Sequence, residues 1–274
     1  LYVLFVLLII VTAVYILFTI YRLKHEVSVE QQMTNMKLRF FTDISHELRT
    51  PLTLISGPVE YVLANTQLPA DAREQLQVVK RNTNRMLRLI NQILDFRKIQ
   101  NKKMKMQVQR IDVVAFTRKI MENFDSVAEE HHIDFLFETE KAELYLWVDA
   151  DKYEKIIFNL LSNAFKYTPN GKMIKLFIHE DEETVSIGVQ DQGIGIAENK
   201  KKSIFVRFEN LVDRNLFNPS TGIGLSLVKE LVEMHKALIS VDSKLGEGSC
   251  FKIDFMKGKE HYDEAVEFMQ DDTT

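Results

Sequence analysis

His46 and Glu47 stand side by side in FTDISHELRTPLTLI, a run otherwise patterned as an amphipathic helix. An imidazole of ordinary pKa is largely neutral at pH 7 and can act as a nucleophile, and a neighbouring carboxylate can orient it or take its proton. Taken alone, such a histidine reads as a solvated surface residue. Further along, FNLLSNAFKYTPNG steps Asn159, Asn163 and Lys166 along one helical face, with Ile157, Leu160, Leu161 and Ala164 on the other. Amide oxygens suit a hydrated Mg²⁺ and an ammonium suits phosphate; the alternative is a solvated face. VQDQGIGIA brings Asp191 to the end of a strand, with Gly193 and Gly195 following. A carboxylate beside a loop that permits close approach can accept a hydrogen bond from an exocyclic amine such as that of adenine; the alternative is an ordinary glycine turn. In STGIGLSLVKELV, Thr221, Gly222 and Gly224 precede an apolar helix whose free N–H groups can bind phosphate, although no GxxxxGK[ST] loop is present. Phe205 and Phe208 lie between these stretches and fit either core packing or the hinge of a lid.

These residues need rigid elements to hold them. Leu1 to Ile20 is an uncharged run long enough to cross a hydrocarbon core, and Arg22 and Lys24 follow it at once. It reads as a transmembrane helix with the rest of the chain on the cytoplasmic side. Because the chain opens inside that run without Met, it reads as a piece of a longer protein. Val29, Met33, Met36, Phe40, Ile44 and Leu48 form one apolar seam of a following helix, on which His46 lies about 200° from both Ile44 and Leu48 and so points outward. Pro51 interrupts the pattern and is expected to kink the helix; Gly57 and Pro58 loosen it again. After a turn at Thr66 to Pro69, Leu76, Val79, Thr83, Met86, Ile90 and Ile93 carry a second seam. One hairpin cannot cover both seams, so two chains are expected to pair as a four-helix bundle.

From Asn101 the pattern turns mixed. Asp112 is placed to cap a helix over Val113 to Glu130, and Asp149 to Asp151 to start another. Strands are expected at Ile133 to Phe137, Leu144 to Val148, Lys172 to Ile178, Val185 to Val189, Leu238 to Val241 and Ser249 to Phe255, with a helix from Gly224 to His235. This is an α+β sandwich with an antiparallel-leaning sheet. A net charge of −4 over 274 residues gives no broad basic field, so no direct nucleic-acid binding is expected. The single Cys250 excludes an internal disulfide, and the paired His131 and His132 have no chemical context.

The motifs together, in this order, resemble the sensor histidine kinases of two-component systems. FTDISHELRTP resembles the phospho-acceptor box, NLLSNAFKYT the N box, DQGIG, TGIGLSLVK and GEGSCF the three glycine boxes, and IFVRF the F box; the likeness spans Met33 to Phe255. It implies a dimeric all-α phosphotransfer hairpin (37–103) joined to an α+β ATP-binding sandwich of the Bergerat type (104–258); with the apolar run this gives a multi-domain protein, with a transmembrane helix (1–20), a connecting helix (21–36) and a linker (259–274) toward a downstream domain. By the same resemblance His46 is the phosphate acceptor, Glu47 its acid/base and Thr50 the residue positioning water for the reverse, phosphatase reaction. Asn159 and Asn163 hold Mg²⁺, Lys166 reaches the phosphates and Tyr167 packs near the nucleotide. Asp191 reads the adenine amine, and Gly193, Gly195, Phe208, Thr221, Gly222, Gly224 and Leu225 shape the ATP site. The implied partners are a second copy of the chain, a receiver domain bearing an aspartate, in the same full-length chain or another, and the inner (cytoplasmic) membrane, with residues after about 21 in the cytoplasm. Two departures stand out: Ser220 replaces a common glycine, and MHKAL replaces a glycine pair after the helix. The tail GKEHYDEAVEF resembles the stretch leading to a receiver domain in hybrid sensors of gut Bacteroidetes. A non-catalytic nucleotide-binding scaffold and an ATPase of the chaperone or topoisomerase kind are the competing readings.

Overall fold

A computed structural model of the chain describes residues 2–100, 104–206, 224–263 and 266–269; within its helices the side chains of residues 3, 4, 6, 8, 9, 13, 23, 26–46, 85, 96 and 100 are not described. The chain divides into two compact units, Leu1–Arg97 and Lys98–Thr274.

The first unit is a helical hairpin. Helix α1 (Tyr2–Asn65) runs unbroken through Pro51 and Pro58, and α2 (Ala70–Gln100) follows the expected turn. Pro51 has no N–H to offer the carbonyl of Glu47, and two residues on, the Thr53 hydroxyl donates back to the Arg49 carbonyl at 2.9 Å, a bond that favours bending. Polar pairs among the described residues join the helices: Arg49 Nη2 donates to Asn91 Oδ1 at 2.6 Å, Ser56 Oγ to Asn84 Oδ1 at 3.5 Å, and Lys80 pairs with Glu60 at 3.3 Å. Going down α1 the partners climb α2 by matching steps, which fixes an antiparallel register. Thr83, Ile90 and Leu94 are buried, whereas Leu48, Leu54, Tyr61, Val79 and Met86 are exposed. The seam residues Val29, Met33, Met36, Phe40 and Ile44 lie outside the described side chains. Among the described residues no helix is long and apolar enough to cross a membrane, so the span expected at Leu1 to Ile20 gains no support there.

The second unit has two sheets. One has the order β2-β4-β5-β7-β6, formed by β2 (Asp134–Thr139), β4 (Met173–Glu180), β5 (Thr184–Asp191), β7 (Gly248–Met256) and β6 (Leu238–Lys244). β2 and β4 are parallel and the other neighbours antiparallel. Alternation puts Ile174, Leu176, Ile178, Val185, Ile187, Val189, Ile253 and Phe255 on the buried face. Helices α5 (Ala150–Tyr167) and α6 (Gly224–Met234) contribute Ile156, Ile157, Leu160, Leu161, Leu227, Val228 and Leu231 to the same core. Asp149 caps α5 by accepting from Lys152 N at 3.1 Å. The helix expected over Val113 to Glu130 is interrupted. Asp112 caps α3 (Val113–Met121), a 3₁₀ turn spans Glu122–Phe124, and α4 (Asp125–Glu130) follows. The turn drives Phe124 onto Phe158 and Phe165, with ring centroids 4.9 and 5.2 Å away.

The smaller sheet, of order β3-β1-β8, contains two strands beyond the sequence reading: β1 (Gln107–Asp112) and β8 (Glu267–Phe268), paired respectively antiparallel and parallel around β3 (Tyr145–Val148) and β1. The stretch from residue 259, expected as a linker, instead lies on this unit as far as the described residues reach. The Tyr262 hydroxyl donates to the Trp147 carbonyl at 2.9 Å, and Lys105 pairs with Glu267 at 2.8 Å. The reason is chemical: Trp147, Tyr262 and Phe268 form one aromatic cluster. At MHKAL, Lys236 takes the left-handed position, with φ of 55°, that a glycine commonly fills. His235 is fully buried; its Nδ1 donates to the Leu231 carbonyl at 2.8 Å and its Nε2 accepts from Asp149 N at 3.1 Å.

Candidate functional site

Asp191 ends β5 on the apolar face of the large sheet, so its carboxylate is held at the edge of the core. Its Oδ1 accepts from the backbone N–H groups of Gly193 at 2.8 Å and Ser249 at 3.3 Å. No hydrogen bond is made to its Oδ2 within the described residues. Burial pushes the Asp191 carboxyl above the usual carboxylate range, and the two N–H donors pull it part of the way back.

The loop after Asp191 is fixed by its glycines. At Gly195, φ is +66° and a β-carbon would stand 2.0 Å from the Lys244 carbonyl oxygen, so no other residue fits without displacing backbone. At Gly193 the same atom would meet the Tyr167 carbonyl at 2.6 Å. Gly246 N also donates to the Ile194 carbonyl at 2.7 Å, tying this loop to the β6–β7 turn.

Between α5, this loop and the β6–β7 hairpin lies a cavity of about 250 Å³. Asn163, Tyr167, Asp191, Gly195 and Leu225, all anticipated from sequence, line it. Ile194, Ile196, Lys200, Leu245, Ser249 and Phe251 also line it, beyond the sequence reading. Of these, Ile194 lies in DQGIG and Ser249 and Phe251 lie in GEGSCF, so their positions carried a sequence signal. The wall is mainly apolar with a few polar groups, the usual character of a small-molecule site.

The remaining anticipated residues fall elsewhere. Asn159 is buried, its Nδ2 donating to the Lys155 carbonyl at 2.6 Å and its Oδ1 lying against Gly224 at the start of α6. The Lys166 ammonium sits 5.2 Å from the centre of the Tyr167 ring. Phe205 is partly buried against the core, edge-on to Phe251 at 6.5 Å. Phe208, Thr221 and Gly222 lie outside the described residues. In the helical unit Glu47 and Thr50 are exposed on α1, and His46 immediately precedes Glu47 in the chain, with its side chain outside the description. Among the described residues no three His, Cys, Asp or Glu side chains cluster to hold a metal.

Residues 148–259 match the family described as histidine kinase-, DNA gyrase B- and HSP90-like ATPase, and residues 36–102 match the His Kinase A (phospho-acceptor) domain. The chain is 36% identical over 252 residues to histidine kinase P4 of Formosa agariphila, covering 88% of this chain and 18% of that protein. It is 39% identical over 226 residues to the sensor histidine kinase TmoS of Ectopseudomonas mendocina, covering 81% of this chain and 23% of that one. The fold resembles full-length ShkA in complex with AMPPNP (TM-score 0.64, 24% identity, 80% of this chain and 46% of that chain). It also resembles histidine kinase ThkA in complex with response regulator protein TrrA (TM-score 0.54, 21% identity, 81% and 62%). The chain belongs to the sensor histidine kinases of two-component systems, a family of ATP-dependent protein-histidine kinases. It spans about a fifth of the length of these two curated relatives.

Proposed function

We propose that this chain transfers the γ-phosphoryl group of ATP to His46 and passes it on to an aspartate of a receiver domain. The observation that carries the reading is Asp191 at the cavity wall, with Oδ1 occupied by two backbone donors and Oδ2 without a protein donor within the described residues. A carboxylate oxygen kept this way fits an exocyclic amine, and the apolar wall of Ile194, Ile196 and Leu225 fits a purine ring. Tyr167 and the Lys166 ammonium stand next to each other where the cavity meets the end of α5, consistent with sugar and phosphate contacts.

A Mg²⁺ ion fits this chain through amide oxygen and water rather than carboxylates. Asn163 offers an oxygen at the cavity wall; Asn159, with its amide nitrogen already donating to Lys155, presents its oxygen beside Gly224. When bound, the ion would neutralise charge on the transferring phosphoryl group. Glu47 orients the His46 imidazole and takes its proton as the nitrogen attacks, and Thr50 positions water for hydrolysis of a phosphorylated receiver, giving a phosphatase activity.

Two partners accompany the reading. Exposed Leu48, Leu54, Tyr61, Val79 and Met86 on the hairpin support pairing with a second copy into a four-helix bundle. The uncharged run to Ile20, with exposed Tyr2, Phe5, Leu7, Ile10 and Leu17, supports insertion in the inner membrane, residues after about 21 being cytoplasmic. Membership of the two-component family supports a receiver domain as the acceptor. Incubating the chain with ATP labelled on the γ-phosphate tests the reaction: acid-labile label on wild type and none on His46→Gln is expected, and equal labelling of the variant would overturn the assignment.

A further inference from the structure

We propose that Ser243 sets the base preference of the nucleotide cavity by fixing which way the Ser249 hydroxyl points. The inference rests on the reading of that cavity as an ATP site.

Ser243 sits on β6 in phase with Ile239 and Val241, an apolar register, and is buried. Across the sheet it is the direct neighbour of Ser249 on β7, which is itself opposite Asp191 on β5. The three side chains form one polar row at the edge of an apolar face, and a buried row must satisfy itself. Ser243 Oγ makes three contacts: Gly248 O at 2.8 Å, Ile196 N at 2.8 Å and Ser249 Oγ at 3.0 Å.

The donor inventory settles the polarity. A carbonyl oxygen only accepts, so the single Ser243 proton goes to Gly248. An amide N–H only donates, so Ile196 occupies a lone pair of Ser243. The remaining contact therefore has Ser249 as the donor. With its proton directed to Ser243, the Ser249 hydroxyl has only lone pairs left for the cavity it lines. Asp191 Oδ2 beside it is likewise an acceptor. Two acceptors side by side match the two protons of an exocyclic amine, and they oppose a ring carbonyl oxygen at the same position, as in inosine or guanine. Ser243 is thus a positioning residue: it acts on the base through Ser249, and at the same time holds the Gly193–Ile196 loop through Ile196 N.

The test is the ratio of dissociation constants for ATP and inosine 5′-triphosphate, measured by calorimetry on the full chain. Wild type is expected to prefer ATP. Ser243→Ala frees the Ser249 proton to face the carbonyl of inosine, so the preference should shrink about tenfold, the scale of one hydrogen bond. Ser243→Thr keeps the hydroxyl and should restore the wild-type ratio. Ser249→Ala should shrink the preference by a similar factor, and adding Ser243→Ala to it should change the ratio no further. If Ser243→Ala does not fold, Ser249→Ala and Ser243→Thr carry the test. An unchanged ratio in Ser243→Ala, or in Ser249→Ala, overturns the proposal. Equal binding of both nucleotides by wild type overturns it too while leaving the nucleotide site intact; failure of wild type to bind either overturns the reading beneath it.

Discussion

Acidification should weaken the ATP-binding unit through His235. This ring is 0% exposed, its Nε2 accepts from Asp149 N and its Nδ1 proton is held by the Leu231 carbonyl, so there is no place for a second proton. Burial lowers its pKa from 6.5 to about 4, against smaller opposing contributions from the Leu231 bond and Asp149; Lys152 and His261 lower it further. In the unfolded chain the ring titrates near its ordinary value. Between those two values the unfolded state binds the extra proton and the folded state does not, so the folded state loses ground as pH falls from about 6.5 to about 4. The full difference corresponds to about 3 kcal/mol. Trp147, the single tryptophan, lies on β3 within this unit and reports its unfolding. Urea denaturation followed by its fluorescence at pH 7.5 and pH 4.5, for wild type and His235→Gln, isolates the contribution of the ring. The variant will be weaker at neutral pH because it loses packing against Phe255, but its loss on acidification should be smaller than that of wild type by roughly 2–3 kcal/mol. Protonation of Asp191, whose pKa is raised, favours the folded state in acid and acts alike in both proteins. Equal losses in the two proteins would refute the reasoning.

Gly195→Ala forces φ of +66° on a residue with a β-carbon and drives that carbon into the Lys244 carbonyl, so a loss of about 1–2 kcal/mol or more and weakened ATP binding are expected in thermal unfolding and calorimetry. Gly57→Ala, in open space within α1, should instead gain about 0.5–1 kcal/mol in the hairpin. ATP affinity should begin to fall, on acidification, at a pH above the ordinary carboxylate range, because Asp191 protonates early and its acceptor is lost; Asp191→Asn should bind weakly with no such inflection. Sedimentation of the detergent-solubilised chain at micromolar concentration should give a dimer, and Met86→Glu, placing a charge on an exposed apolar position of α2, should shift it toward monomer.

Much of this site was readable because its parts are local. The spacing of Asn159, Asn163 and Lys166 is set by one helix, the glycine turn by one residue's backbone, and the hairpin turn by Thr66 to Pro69. What escaped depends on distant partners. Periodicity put Asn159 on a polar face but could not show that α6 covers it, leaving it buried while Asn163 reaches the cavity. Ser243 lies beyond Val241, where the strand was expected to end, and its meaning appears only beside Ser249. β1 lay hidden in a mixed stretch with no clear alternation, and β8 is two residues long, so neither could be seen before its partner was known. Phe124 marks the same limit: the break at Glu122–Phe124 is a packing event among three aromatic rings, and no residue in MENF announces it.

The parallel pairing of β8 with β1 bears on how the protein is made. Gln107 and Glu267, 160 residues apart, are joined across it, so this is among the longest-range links in the unit. During synthesis β1 and β3 can pair while β1 still has a bare edge, and that edge stays open until the residues around Phe268 have left the ribosome. Closing so large a loop comes late for entropic reasons. The ATP-binding unit therefore reaches its finished form only after the whole of its chain has been translated, and a ribosome stalled before residue 267 would hold a kinase domain with an unsealed, adhesive flank.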